Sequence, residues 1–82
     1  MPIKPLKNDL VAFLTKHSLK KKYSKQLSFL ESDWTHPSLN IERLNPKVFK
    51  LYSFRIDRRY RAIFTVHESG EIEILDINNH YQ

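Results

Sequence analysis

The chain contains no cysteine. Disulfides, iron–sulfur clusters and thiolate zinc sites are therefore excluded as ways of holding it together, and the lack of thiols fits a reducing compartment. No apolar run approaches the ~18 residues that cross a bilayer, and no signal-peptide pattern opens the chain. The expectation is a cytoplasmic protein without a membrane anchor. Glycine occurs once, at Gly70, and acidic residues are the minority: nine Asp and Glu against 14 Lys and Arg, a formal net charge of +5. At 40% hydrophobic and 28% charged, the chain is not disordered by composition. There is no repeat, low-complexity segment or internal boundary. The 82 residues form one domain, 1–82, that buries only roughly 60–65% of its unfolded surface.

The positive charge is unevenly spread. Residues 1–31 carry seven lysines against Asp9 and Glu31. Residues 32–67 carry seven basic residues against Asp33, Glu42 and Asp57, and residues 68–82 carry four acids and no Lys or Arg. Such a surface suits nucleic acid or an acidic protein partner, or serves solubility alone.

Met1 to Lys4, interrupted by Pro2, has room for a ragged edge strand at most. From Pro5 onward Leu6, Leu10, Phe13 and Leu14 fall on one helical stripe. Ser18 is the expected N-cap of a second helix, in which Leu19, Tyr23, Leu27 and Leu30 form the buried stripe. Lys20, Lys21, Lys22 and Lys25 face outward, as a solvated face or as a surface that meets RNA backbone. Ser32 to Asn40 is a polar loop. Trp34 within it is expected to cap the core rather than stack on a base, and His36 has no second ligand at metal spacing. Ile41 to Leu44 reads as a short strand and Asn45-Pro46-Lys47 as a turn. Leu51 to Val66 is a hairpin with a basic turn. Ile72 to Ile77 is the last strand, reached through a turn in which Gly70 supplies positive φ. Helices followed by strands predict an α+β domain: two antiparallel helices on one face of a three- to four-stranded antiparallel sheet.

Strand alternation fixes the register of the hairpin. Tyr52, Phe54 and Ile56 share one face of the first strand; Tyr60, Ala62, Phe64 and Val66 share a face of the second. Matching apolar to apolar sets Phe54 against Ala62 and puts Arg55 directly opposite Arg61, with Asp57-Arg58-Arg59 as the loop. Two opposed arginines repel unless an anion lies between them. That anion is either a carboxylate of the chain, such as Glu42 or Glu73, or a phosphate from outside. Arg58 and Arg59 are expected to be exposed turn residues. His80 and Tyr81 follow directly on the last strand, which allows them to lie along the rim of the uncovered face. Glu42, Arg61, His80 and Tyr81 then supply what RNA cleavage by its own 2′-hydroxyl uses. They are a carboxylate to take the proton, a cation for the phosphate, an imidazole for the leaving oxygen and an aromatic for the base.

Several segments, in order and spacing, resemble the RelE/ParE toxin superfamily of type II toxin–antitoxin pairs. They are HPSL at His36–Leu39, Glu-x-Leu at Glu42–Leu44, YSFRI at Tyr52–Ile56, YRAIF at Tyr60–Phe64 and EILDINNH at Glu73–His80. The resemblance runs from about Leu6 to the end and is nearest to the RelE/YoeB-like branch. It implies two helices on a twisted antiparallel sheet. It also implies cleavage of mRNA in the ribosomal A site with no metal and no cofactor. By that resemblance Glu42 is the general base, Arg61 stabilises the phosphate, His80 is the general acid and Tyr81 stacks on or positions a base. Arg55, with Lys47 and Lys50, binds substrate phosphate, and the helix lysines meet ribosomal RNA. The implied partners are a cognate antitoxin, the ribosome and mRNA. Two other readings compete. One is a non-catalytic toxin fold, either gyrase-directed like ParE or bound only to its antitoxin. The other is a plain basic RNA-binding module. ParE-like members generally lack the His-Tyr end, which favours the nuclease.

Overall fold

The structure, a computed structural model, describes residues 2–79. Helix α1 spans Asn8–Lys16 and α2 spans Lys20–Ser32. Their stripes bury Leu10 and Leu14 from α1, and Tyr23, Gln26 and Leu30 from α2; Leu6, Phe13 and Leu27 pack partly buried against the same core. Lys20, Lys21, Lys22 and Lys25 are exposed. Among the described residues no helix is long and apolar enough to cross a membrane.

Ser18 does not cap α2, contrary to expectation. It sits at φ 56° and closes α1 instead. Its N–H reaches the Thr15 carbonyl at 3.2 Å, and the Leu19 N–H reaches the Leu14 carbonyl at 2.8 Å. This is the paired-bond closure of a helix C-terminus. The link between the helices is so short that satisfying the end of α1 consumes it, and Leu19 stands at the N-cap of α2 with no side-chain cap.

Four antiparallel strands form one sheet in the order β1 (Glu42–Arg43), β2 (Leu51–Arg55), β3 (Arg61–Val66) and β4 (Ile72–Asn78). The hairpin register is the expected one, with Phe54 opposite Ala62 and Arg55 opposite Arg61. On β4 the pairing slips by one residue: Ile63 faces Asp76 while Phe64 faces Ile74. The extra residue, Leu75, lets Ile74 and Ile77 both point into the core although they are three apart. The opening segment survives as a single parallel bridge from Ile3 to Ile72, with Lys4 N–H to Ile72 O and Ile72 N–H to Pro2 O at 2.8 Å each. Gly70 has φ 89° and donates to the His67 carbonyl at 2.8 Å, closing the β3–β4 turn.

Both helices cover one face of this sheet, where Phe54, Ile56, Ala62, Phe64, Ile72, Ile74 and Ile77 form the floor of the core. The end of the core is closed by Leu39, which is 0% exposed, and not by Trp34, which is 56% exposed. Leu39 wins because the turn Pro37–Leu39 is tied inward: Gln26 Nε2 donates to the Ser38 carbonyl at 3.0 Å.

Candidate nucleic-acid-binding cleft

The face that the helices leave bare takes its composition from strand alternation. Ser53 and Arg55 on β2 lie opposite Ile63 and Arg61 on β3; Glu42 on β1 lies opposite Ser53, and Asn78 on β4 opposite Arg61. Arg61 is only 6% exposed although no helix covers it. Its guanidinium lies back along the sheet toward β1. Nε donates to Ser53 Oγ at 3.0 Å, and Nη2 donates to the Ser53 carbonyl at 3.3 Å and to the Asn40 carbonyl. Asn40 can offer that carbonyl because it ends the Pro37–Leu39 turn in the left-handed conformation, φ 44°, which asparagine tolerates better than most residues. Burial lowers the pKa of Arg61, the attraction of Glu42 offsets part of this, and the neighbouring Arg55 lowers it further. Even so lowered, an arginine remains charged throughout the physiological range.

Glu42 is half-buried, and its Oε2 is sealed from solvent without a hydrogen-bond partner among the described residues. Glu73, the other carboxylate considered as a neutraliser of the arginine pair, is engaged elsewhere. It lies opposite Thr65, away from Arg61, and bonds His67 Nε2 at 2.8 Å. That bond, with smaller help from Lys4 and Lys7, outweighs a slight burial effect and lowers the pKa of Glu73.

A cleft of about 230 Å³ opens here, lined by Asn40, Glu42, Arg55, Asp57, Arg58, Arg59 and Arg61. Arg58 and Arg59 are exposed, as expected of turn residues, yet they also form one wall of this cleft. Asp57 fixes their turn. Its Oδ1 accepts the N–H groups of Arg59 and Tyr60, both at 2.8 Å, and its Oδ2 takes Lys22 Nζ from α2 at 3.3 Å. Burial works to raise the pKa of Asp57, but the two backbone donors and Lys22 together lower it. The Asp57 charge is thus occupied within the turn. The side chains of Arg55, Arg58 and Arg59 make no hydrogen bond or ion pair among the described residues.

The structure therefore brings together Glu42, Arg55 and Arg61. It does not bring Lys47 and Lys50 to them. These sit in the turn before β2, whereas Arg55 ends that strand, roughly 17 Å further along. His80 and Tyr81 lie outside the described residues; the strand leading to them ends at Asn78, opposite Arg61. Among the described residues no three His, Asp or Glu side chains gather as a metal site. Sequence reasoning missed Asn40, Ser53 and Gln26. Gln26 Nε2 bonds the Ser38 and Arg55 carbonyls at 3.0 and 2.8 Å, tying α2 both to the turn that presents Asn40 and to the end of β2. Its signal was present: a polar residue within a buried helical stripe.

No family model and no curated protein matches the chain. Solved structures do. A YoeB/ParE toxin from Agrobacterium tumefaciens superposes with a TM-score of 0.75 at 19% identity, covering 99% of this chain and 100% of that one. A YoeB dimer from Staphylococcus aureus gives 0.68 at 21% identity, covering 98% and 94%. The heterotetrameric YoeB–YefM toxin–antitoxin complex of the same organism gives 0.69 at 20%, again covering 98% and 94%. With two helices on one face of a four-stranded antiparallel sheet, the chain has the fold of these YoeB toxins.

Proposed function

We propose that the chain is the toxin of a type II toxin–antitoxin pair and a ribosome-dependent endoribonuclease that cuts mRNA without a metal. The observation that carries this reading is the juxtaposition of a carboxylate bearing a buried, unsatisfied oxygen with two directly opposed arginines in one open cleft. A carboxylate that lines the cleft beside two arginines is placed to take a proton from an incoming hydroxyl. Two like charges face to face are unfavourable until a phosphate lies between them.

In this reading Glu42 takes the proton of a 2′-hydroxyl. The 2′-oxygen attacks the adjacent phosphorus, and the bond from phosphorus to the 5′-oxygen breaks. His80 gives its proton to that leaving oxygen, so the products are a cyclic phosphate and a free 5′-hydroxyl. Arg61 meets the charge that develops on the phosphate. Its bonds to Ser53 and Asn40 hold it in place beforehand, so no reorganisation is needed at the moment of reaction. Arg55 holds the same phosphate from the opposite strand, and Tyr81 stacks on a neighbouring base. The lysines of α2 face ribosomal RNA, while Lys47 and Lys50 meet RNA away from the reacting phosphate. The partner that restrains this activity is a cognate antitoxin, in keeping with the YoeB–YefM complexes of the structural neighbours, and the site of action is the cytoplasm.

The test is mRNA cleavage on translating ribosomes by the wild type, Arg61→Ala and His80→Ala. Cleavage by the wild type alone is expected. Equal cleavage by all three would refute the residue roles. Absence of cleavage by any, with a folded protein, would leave a toxin fold that binds without cutting.

A further inference from the structure

We propose that the cavity beside Trp34 is a nucleobase subsite that takes the base next to the phosphate held between Arg55 and Arg61. The inference rests on the RNA-cleaving reading above. This cavity holds about 400 Å³ and is lined by Trp34, Thr35, His36, Pro37, Asn40 and Ile41. Three observations give it a ligand chemistry.

The first is the indole. Trp34 is 56% exposed and takes no place in the core. A large flat ring held at the edge of a cavity offers its face to any base, and base–aromatic stacking tolerates all four. The second is an unused donor with a fixed position. His36 stacks on Phe29, with ring centroids 3.8 Å apart and planes within 10°. Its Nδ1 accepts the Ser38 N–H at 3.2 Å, so the neutral ring carries its proton on Nε2. That Nε2–H has no partner among the described residues. The side-chain amide of Asn40 is likewise without one. A base edge presents carbonyl and ring-nitrogen acceptors to such donors. The third is position. Asn40 lines both this cavity and the arginine cleft, and its carbonyl holds Arg61. The two cavities share a wall, as the seats for a phosphate and its attached nucleoside must.

An apolar protein segment is the competing occupant, because Trp34 also borders a cavity of about 270 Å³ with Leu30, Ile41, Tyr52 and Phe64. That cavity is almost wholly apolar, whereas the one with His36 and Asn40 has donors to satisfy. The polar cavity therefore favours the base.

Trp34 is the sole tryptophan, so tryptophan fluorescence reports on the surroundings of this one side chain. The experiment titrates the full chain with a short, end-labelled RNA whose 2′-oxygens are all methylated, and with its abasic counterpart. Binding is read by anisotropy of the label and stacking by quenching of Trp34. The expected result is binding with quenching by the base-bearing RNA, and weaker binding without quenching by the abasic chain. Trp34→Ala should weaken the base-bearing RNA roughly 5- to 150-fold with an unchanged salt slope, because no phosphate contact is lost. Trp34→Phe, which keeps a ring, should retain most of the affinity. Binding without quenching, equal affinity of Trp34→Ala, or quenching by an antitoxin segment but not by RNA would overturn the subsite and leave the cleft reading standing. No binding of either chain would overturn the subsite, while the cleavage assay on translating ribosomes decides the RNA-cleaving reading separately.

Discussion

Gln26 is the residue whose replacement most directly tests how the cleft is built. It is buried in the stripe of α2, and its amide reaches the Ser38 and Arg55 carbonyls at 3.0 and 2.8 Å. In Gln26→Leu both carbonyls lose that donor. Each orphaned acceptor costs about 1–3 kcal/mol; the extra apolar burial of leucine returns part of this, leaving a net loss of about 2–4 kcal/mol. A domain of this length has a total stability of roughly 4–12 kcal/mol, so the loss is a large fraction. At about 4–8 °C per kcal/mol the melting temperature should fall by about 8–32 °C. Gln26→Glu sharpens the test. One oxygen of the introduced carboxylate faces two carbonyl oxygens in place of the amide N–H, with the Ser38 hydroxyl near only the other at 3.4 Å, so its folded pKa rises above its unfolded value near ~4.3. Such a group binds its proton more tightly when folded, and stability relative to the wild type falls as pH rises above ~4.3. Thermal melts followed by circular dichroism at pH 4.5 and pH 8 read both effects. Melting temperatures within ~4 °C of the wild type, or a glutamate variant indifferent to pH, would refute the bracing role of Gln26.

Three further outcomes follow from named contacts. Asp57→Ala removes the acceptor of two turn N–H groups and should cost about 1–2 kcal/mol, by analogy with the loss of a helix cap. Because Asp57 titrates below 3.8 when folded, the wild type's advantage over this variant is full above pH ~4 and vanishes as the pH drops through the depressed pKa; melts from pH 2 to 7 check it. Gly70→Ala meets no steric neighbour within 4 Å but must adopt φ 89°, which should lower stability by about 1–2 kcal/mol in chemical denaturation without altering RNA binding. The double change Arg58→Ala with Arg59→Ala concerns exposed side chains and should leave the melting temperature unaltered, while flattening the dependence of log affinity for single-stranded RNA on log salt by about 1.4.

What could be read from the chain followed from periodicity, and what could not followed from long-range bonds. The register of β2 and β3 was legible because a one-residue slip would have driven Arg61 under the helices. The buried stripes of α1 and α2 were legible for the same kind of reason. Ser18 misled because its residue type suits a cap, while the demand that set its conformation came from the carbonyls of Thr15 and Leu14 behind it. Trp34 misled because large aromatics usually bury; here Leu39 took the core position once Gln26 tied down the turn, and no local pattern shows that tie. Asn40 and Ser53 were invisible for a related reason. They serve Arg61 through a carbonyl and a hydroxyl contributed from 21 and eight residues away.

The arginine pair shows how the fold decides what a charge is available to do. Arg55 and Arg61 occupy equivalent positions on adjacent strands, yet one is exposed and the other buried. Arg61 is committed to Ser53 and Asn40, which fixes its guanidinium and leaves its charge in place without freedom to follow a ligand. Arg55, unpaired among the described residues, keeps that freedom. Glu42 attracts Arg61 but leaves an oxygen unsatisfied, and Asp57 is engaged by its own turn and by Lys22. Four arginines therefore line a cleft whose two carboxylates do not neutralise them. Across from Arg61, β4 carries Asn78 and not a carboxylate; Glu73 lies opposite Thr65. A carboxylate at position 78 should accordingly offset part of the positive excess at the Arg61 end of the sheet. On this reasoning Asn78→Asp, which also sets a carboxylate beside Asp76, lowers the melting temperature and weakens RNA binding, and a folded variant that binds RNA as well as the wild type would show that the excess charge is not what the cleft uses.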